Sequence, residues 1–244
     1  YRDHLDLHSF PTRRSSDLAI SGALKRNDEA SAQKTMQSVL RITMLFSMPC
    51  AFGLSVLAAP VLSFIFNDTL AARLLEITSI AIIFVSLVQV TNAILQAYGK
   101  MHIPVVNMII GCIVKIALNY YLVGLPNINV DGAPISTLAC YLVIALLNFV
   151  YLIKLTRLRI SISEFIIKPL SASVGMAVLS VFVINVLNMN GIGGRLAVIP
   201  AILVGGIAYL LLIFLVGAVK ESDVAMLPMG DKLTKTFKKL HILR

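Results

Sequence analysis

Hydrophobic positions along this chain neither alternate nor keep to one helical face; they fall into six long blocks, at 42–66, 74–97, 103–125, 132–153, 169–187 and 196–219. A helix rises 1.5 Å per residue, so about 20 apolar residues cross a hydrocarbon core of ~30 Å. Each block meets that length, and the pattern predicts six transmembrane helices. A polar stretch at 27–42, NDEASAQKTMQSVLRI, leads into the first block; Asn27 or Asp28 is placed to cap a helix that runs into the span, with acidic residues at its start. Pro49 falls inside the first block and Pro60 nearer its end, where each removes a helix hydrogen bond and favours a kink. Gly205 with Gly206, and Gly132 with Ser136, suit close helix packing.

Composition supports this reading. Of 244 residues 58% are hydrophobic and 14% charged, against about a quarter charged in soluble domains, too little polar surface to cover a water-facing globule. The three cysteines, Cys50, Cys112 and Cys140, lie inside apolar blocks without metal-ligand spacing and read as reduced packing residues. The net charge of +9 does not imply nucleic-acid binding, because nearly all the basic residues lie between and beyond the blocks. On alternate sides they are unequal: 15 Lys and Arg, including Arg41, Lys100, Lys154, Arg157 and Lys168, occupy one set of connections and ends, against Arg73 and Arg195 on the other. The positive side is expected to be cytoplasmic, giving a multi-pass protein of the bacterial inner membrane with both ends inside.

Outside the bundle of 42–219 three segments are expected. Residues 1–18 (YRDHLDLHSFPTRRSSDL) are polar, lack signal-peptide organisation, resemble a translated sequencing-adapter read and are set apart as a non-native leader, the alternative being a natural polar tail. Residues 19–41 form a cytoplasmic amphipathic lead. Residues 220–244 form a basic tail in which Leu233, Phe237 and Leu240 share a helical face, suited either to an anionic membrane surface or to a frayed soluble end.

Intramembrane polar residues carry the functional reading. Lys115 sits about 11 residues, ~16 Å, from either end of the third block, too deep to snorkel easily. It faces either a cavity that meets an anionic group or a helix contact in which its ammonium bonds neighbouring carbonyls or amides. Asn107, Gly111, Lys115 and Asn119 recur every four residues along one slowly turning stripe, and Gln89, Asn92 and Gln96 share a face of the second block, with Ser86 a turn earlier. Lys115, Asn107, Asn119, Gln89, Asn92 and Gln96 are therefore the candidate cavity residues, with interhelical amide contacts as the alternative. None of the twelve carboxylates lies mid-span; Glu76 falls in a block near its outer edge, beside Arg73. The four histidines are scattered, there is no HExxH or Walker loop, and GIGG at 191–194 reads as a turn. No catalytic residue, metal site or cofactor is expected.

Five strings carry a resemblance: AISGALKRNDEASAQKTMQSVLRITMLFSMPCAFGLSVLAAPVLSFIF at 19–66, LQAYGKMHIP at 95–104, VKIALNYYLV at 114–123, DGAPIST at 131–137 and ESDVAMLPMGDKL at 221–233. Together they resemble the second half of the multidrug/oligosaccharidyl-lipid/polysaccharide (MOP) exporters, closest to the polysaccharide-exporter and stage V sporulation protein B-like branch. The resemblance implies an all-α integral membrane protein, the C-terminal part of an alternating-access transporter built from two lobes, with most of the second lobe and an extra helix pair in this chain and the N-terminal lobe absent from it. It further implies a flippase, not an enzyme, whose cargo is a lipid-linked oligosaccharide or peptidoglycan precursor bearing pyrophosphate, with Lys115 as the matching cation. A drug/cation antiporter of the same superfamily and a noncatalytic scaffold for envelope assembly are the alternatives.

Overall fold

The hydrocarbon core offers no hydrogen-bond partners to a peptide backbone, so each apolar block must satisfy its own N–H and C=O groups, and a helix is the local way to do so. The computed structural model describes Gly22 and residues 28–158, 161–190 and 195–217, and among these residues there is no strand. The helices are α1 (Glu29–Val56), α2 (Ala58–Phe66), α3 (Ala72–Ala97), α4 (His102–Val123), α5 (Gly132–Thr156), α6 (Lys168–Met189) and α7 (Val198–Val216). All but the short α2 belong to the six helical segments that are long and apolar enough to cross a membrane. The leader at 1–18, residues 19–21 and 23–27 of the lead at 19–41, the GIGG turn and the basic tail lie outside the described residues.

The first block differs from the single span expected for 42–66. Asp28 caps the helix, its carboxylate accepting the Ser31 N–H at 3.0 Å, so α1 starts at Glu29 and the polar lead forms its first turns. At 28 residues it is ~42 Å long, more than the hydrocarbon thickness. It ends at Val56; after Leu57 a new helix, α2, starts with Pro60 as its third residue.

The same logic covers most other prolines. Pro104, Pro134 and Pro200 are third residues of α4, α5 and α7, and Pro169 is the second of α6, directly after a π-helical turn. In a first turn the missing N–H has no intrahelical role. Pro49 alone among the described prolines lies deep inside a helix, where it deprives the Leu45 carbonyl, four residues back, of its donor. The Tyr209 hydroxyl of α7 donates to that carbonyl instead.

Contacts between helices define a lateral order of α4, α5, α3, α1, α6, α7. Buried residues of α1 (Ala32, Met36, Leu40, Met44, Met48) pack with Ile94 and Leu95 of α3, Leu152 of α5 and Phe165. A second cluster joins Leu45 of α1 to Ala172 and Met176 of α6 and to Tyr209 and Ile213 of α7. Small residues set the closest approaches, as expected where lipid removes the hydrophobic drive between helices. A Cβ on Gly111 would overlap Ile144 of α5, and one on Gly205 would overlap the Ser180 hydroxyl of α6. A Cβ on Gly132 would overlap Leu122, whereas one on Gly206 would meet nothing within 4 Å, so no close approach depends on that glycine.

Polar contacts at the two ends fix the up-and-down order. At one end the Gln33 amide donates to the Thr156 carbonyl at 3.0 Å, Arg41 pairs with Glu164 at 3.5 Å, and Lys168 donates to the Gly217 carbonyl at 2.8 Å, satisfying the C-terminus of α7. Tyr98, just past α3, packs at this end, where burial and then the Glu29 carboxylate push its phenol above the usual range. At the opposite end Arg73 lies 3.6 Å from Glu76 and 3.9 Å from Asp131, the interfacial pairing expected for Glu76. Glu164 belongs to a π-helical turn, Ser163–Ile167, running into Pro169.

Candidate functional site

Polar side chains of α3, α4 and α5 form a seam along the bundle. Its buried centre is Asn148 of α5, fully excluded from solvent. The Asn148 amide N–H groups donate to Asn92 Oδ1 at 2.6 Å and Thr91 Oγ1 at 3.2 Å, and its Oδ1 accepts from Asn107 Nδ2 at 2.8 Å. Thr91 in turn donates within α3, 2.8 Å from the Leu87 carbonyl. Asn148 thus ties α3 to α4 at a level where α3 and α4, although consecutive, scarcely touch.

The stripe on α4 divides between two surroundings. Four residues turn a helix by ~400°, so residues at that spacing advance ~40° per step. Asn107 and Gly111 face α5 and are buried; by Lys115 the stripe has rotated out of the contact, and Lys115 and Asn119 are exposed. Asn119 Oδ1 still lies 3.3 Å from the Ser136 hydroxyl, which donates within α5 to the Ala133 carbonyl at 2.9 Å. Lys115 has no ion-pair partner among the described residues. It is 13 residues from His102 and eight from Val123, so ~20 Å from one end of α4 and ~12 Å from the other. Side chains lean toward a helix N-terminus, which aims Lys115 toward the middle of the span.

On α3, Asn92 is half-buried in the network while Gln89 and Gln96 are exposed. The structure therefore joins Asn92 and Asn107 through Asn148, pairs Asn119 with Ser136, and leaves Lys115, Gln89 and Gln96 outward-facing. Thr91 and Asn148 did not emerge from the sequence. Asn148 is the sole side-chain amide within 132–153, and an unaccompanied Asn inside an apolar block is the signal that could have found it.

The outward face of α4 is otherwise apolar, with Val105, Ile109, Ile113, Ile116 and Tyr120 exposed. Among the described residues no three His, Cys, Asp or Glu side chains are grouped to hold a metal.

Comparison with known proteins bears on what such a bundle belongs to. The chain is 25% identical over 220 residues to the uncharacterized membrane protein YabM of Bacillus subtilis, a match covering 88% of this chain and 41% of the relative. It is 32% identical over 122 residues to the lipid II flippase MurJ of the same organism, covering 48% of this chain and 21% of that protein. It thus spans less than half the length of these curated relatives. No solved structure matches. The family model of the lipid II flippase MurJ matches residues 19–205, which takes in five of the six spans and part of α7, and so bears out the resemblance to the exporter superfamily: this multi-pass membrane chain belongs to the MurJ lipid II flippase family.

Proposed function

We propose that this chain is part of a flippase that carries a lipid-linked, pyrophosphate-bearing precursor of the cell envelope across the bacterial cytoplasmic membrane, with lipid II, the cargo in the family's name, as the leading candidate. The observation that carries this reading is Lys115. A lysine at that depth costs ~2.5–3.5 kcal/mol on insertion scales, a penalty that argues against a purely lipid-facing role. On the exposed face of α4 it has no ion-pair partner among the described residues to offset that cost, whereas a cavity with an anionic cargo group provides one.

Cavity walls come from both sides of Lys115. Gln89, Gln96 and Asn119 supply neutral hydrogen-bonding groups suited to a sugar-bearing substrate. Asn92 and Asn107, drawn into the Asn148 network, act behind the wall by holding α3, α4 and α5 in register. The facing wall comes from a further helical lobe of the same protein, a reading supported by the coverage of YabM and by the sparse packing of α4. The described carboxylates, Asp28, Glu29, Asp68, Glu76, Asp131 and Glu164, lie at or near helix ends, so any ion-coupling carboxylate lies outside these spans. The Lys and Arg bias supports a cytoplasmic position for the end carrying Arg41 and Lys168.

Lys115→Ala in the full-length protein, assayed for translocation of the lipid-linked precursor in reconstituted vesicles, tests the role of the ammonium. Transport falls at least tenfold, and Lys115→Arg retains more of it than Lys115→Gln, if charge meets pyrophosphate. Wild-type transport by Lys115→Ala overturns it.

A further inference from the structure

Independently of the cargo, we propose that Pro49 and Tyr209 form a hinge and latch: α1 bends at Pro49, and the α6–α7 pair governs that bend by donating the Tyr209 hydroxyl to the Leu45 carbonyl. Three observations meet at this point. Pro49 is the 21st residue of the 28-residue α1, so the carbonyl it orphans lies within the membrane-spanning helix, away from water. An unsatisfied carbonyl there is costly, and the bundle answers with a side chain from the opposite end of the sequence, 164 residues away. That donor comes from α7, whose main packing is against α6 and which touches α1 only slightly.

The surroundings suit movement more than rigid fixation. Beyond Pro49 the outer limb has Gly53, where an added Cβ would stand 3.2 Å from the flexible end of Met176, and then the break at Leu57. Leu45, Ala172, Met176, Tyr209 and Ile213 enclose the bond in one apolar cluster, with Ser173 beside the phenol. With the latch closed, the inner limb of α1 is fixed to α7 and the freed carbonyl is satisfied. With α7 displaced, the carbonyl needs another donor and the two limbs become free to change angle. Docking of the helix pair and the bend of α1 are thus two readings of one equilibrium.

The chemistry makes the coupling testable, because alanine at position 49 restores the backbone N–H and should render Tyr209 dispensable. Spin labels at the exposed Lys34 and Val56, in a full-length protein without native cysteines and held in lipid nanodiscs, report the angle between the limbs. Tyr209→Phe removes only the hydroxyl. It shifts the ratio of altered to native distances by roughly 3-fold for an average intramembrane hydrogen bond and up to about 18-fold for the strongest. In the Pro49→Ala background the same substitution shifts the ratio less than about twofold. Equal shifts in both backgrounds, or no shift with Pro49 present, overturn the proposal. Should Tyr209→Phe alone fail to accumulate, accumulation of the Pro49→Ala/Tyr209→Phe double variant supports the same coupling, and its failure refutes it.

Discussion

Replacing Asn148 by Leu tests whether the buried amide network holds the bundle together. The substitution roughly preserves volume and removes three hydrogen bonds, to Asn92, Thr91 and Asn107. Interhelical hydrogen bonds in membranes average ~0.6 kcal/mol and reach ~1.7, because the separated helices also find partners in the bilayer. Three average bonds give about 2 kcal/mol, with a ceiling near 5. Thr91 keeps its bond to Leu87, so the loss falls mainly on Asn92 and Asn107. The measurement is reversible unfolding of the full-length protein in bicelles for wild type, Asn148→Leu, Asn107→Leu and the double variant. Because both single changes break one shared bond, the double variant should be less unstable than their sum by ~0.6–1.7 kcal/mol. A single-variant cost below ~0.5 kcal/mol, or additivity within ~0.3, would refute the network as an energetic link between α4 and α5.

Gly111→Ala drives a methyl into Ile144 and against the Cys140 carbonyl, and should cost ~1–3 kcal/mol in the same unfolding assay; Gly206→Ala, with open space around it, should stay within ~0.5. Breaking the Arg41–Glu164 pair by Arg41→Gln should cost between the ~1 kcal/mol ceiling of exposed pairs and the ~3 of buried ones, since the two side chains are 10% and 28% exposed. Exchanging the charges, Arg41→Glu with Glu164→Arg, should recover part of that loss, and no recovery would show that the pair is not the cause.

Much of the architecture is written in hydrophobic block length, because a ~30 Å apolar solvent imposes one local solution on any sufficiently long apolar segment. Six spans and the capping Asp28 follow from that rule and from capping chemistry. The break after Val56 followed less directly. Pro60 was visible, yet whether a proline kinks a helix or begins one depends on where the helix restarts, which the arrangement around Leu57 settles. Likewise the every-four spacing on α4 marked a polar stripe without revealing that its rotation takes Lys115 out of the contact that buries Asn107.

By itself, then, the sequence determined that this is a membrane bundle, how many times it spans, and which polar residues the bilayer makes expensive. Tertiary structure decided which of those residues answer one another: Asn148 with Asn92 and Asn107, Arg41 with Glu164, and Tyr209 with the carbonyl that Pro49 left open. The physical reason is that hydropathy is summed along a local segment, whereas a hydrogen-bond partner is chosen by proximity in space, and Leu45 and Tyr209, 164 residues apart in the chain, meet only when α1, α6 and α7 pack.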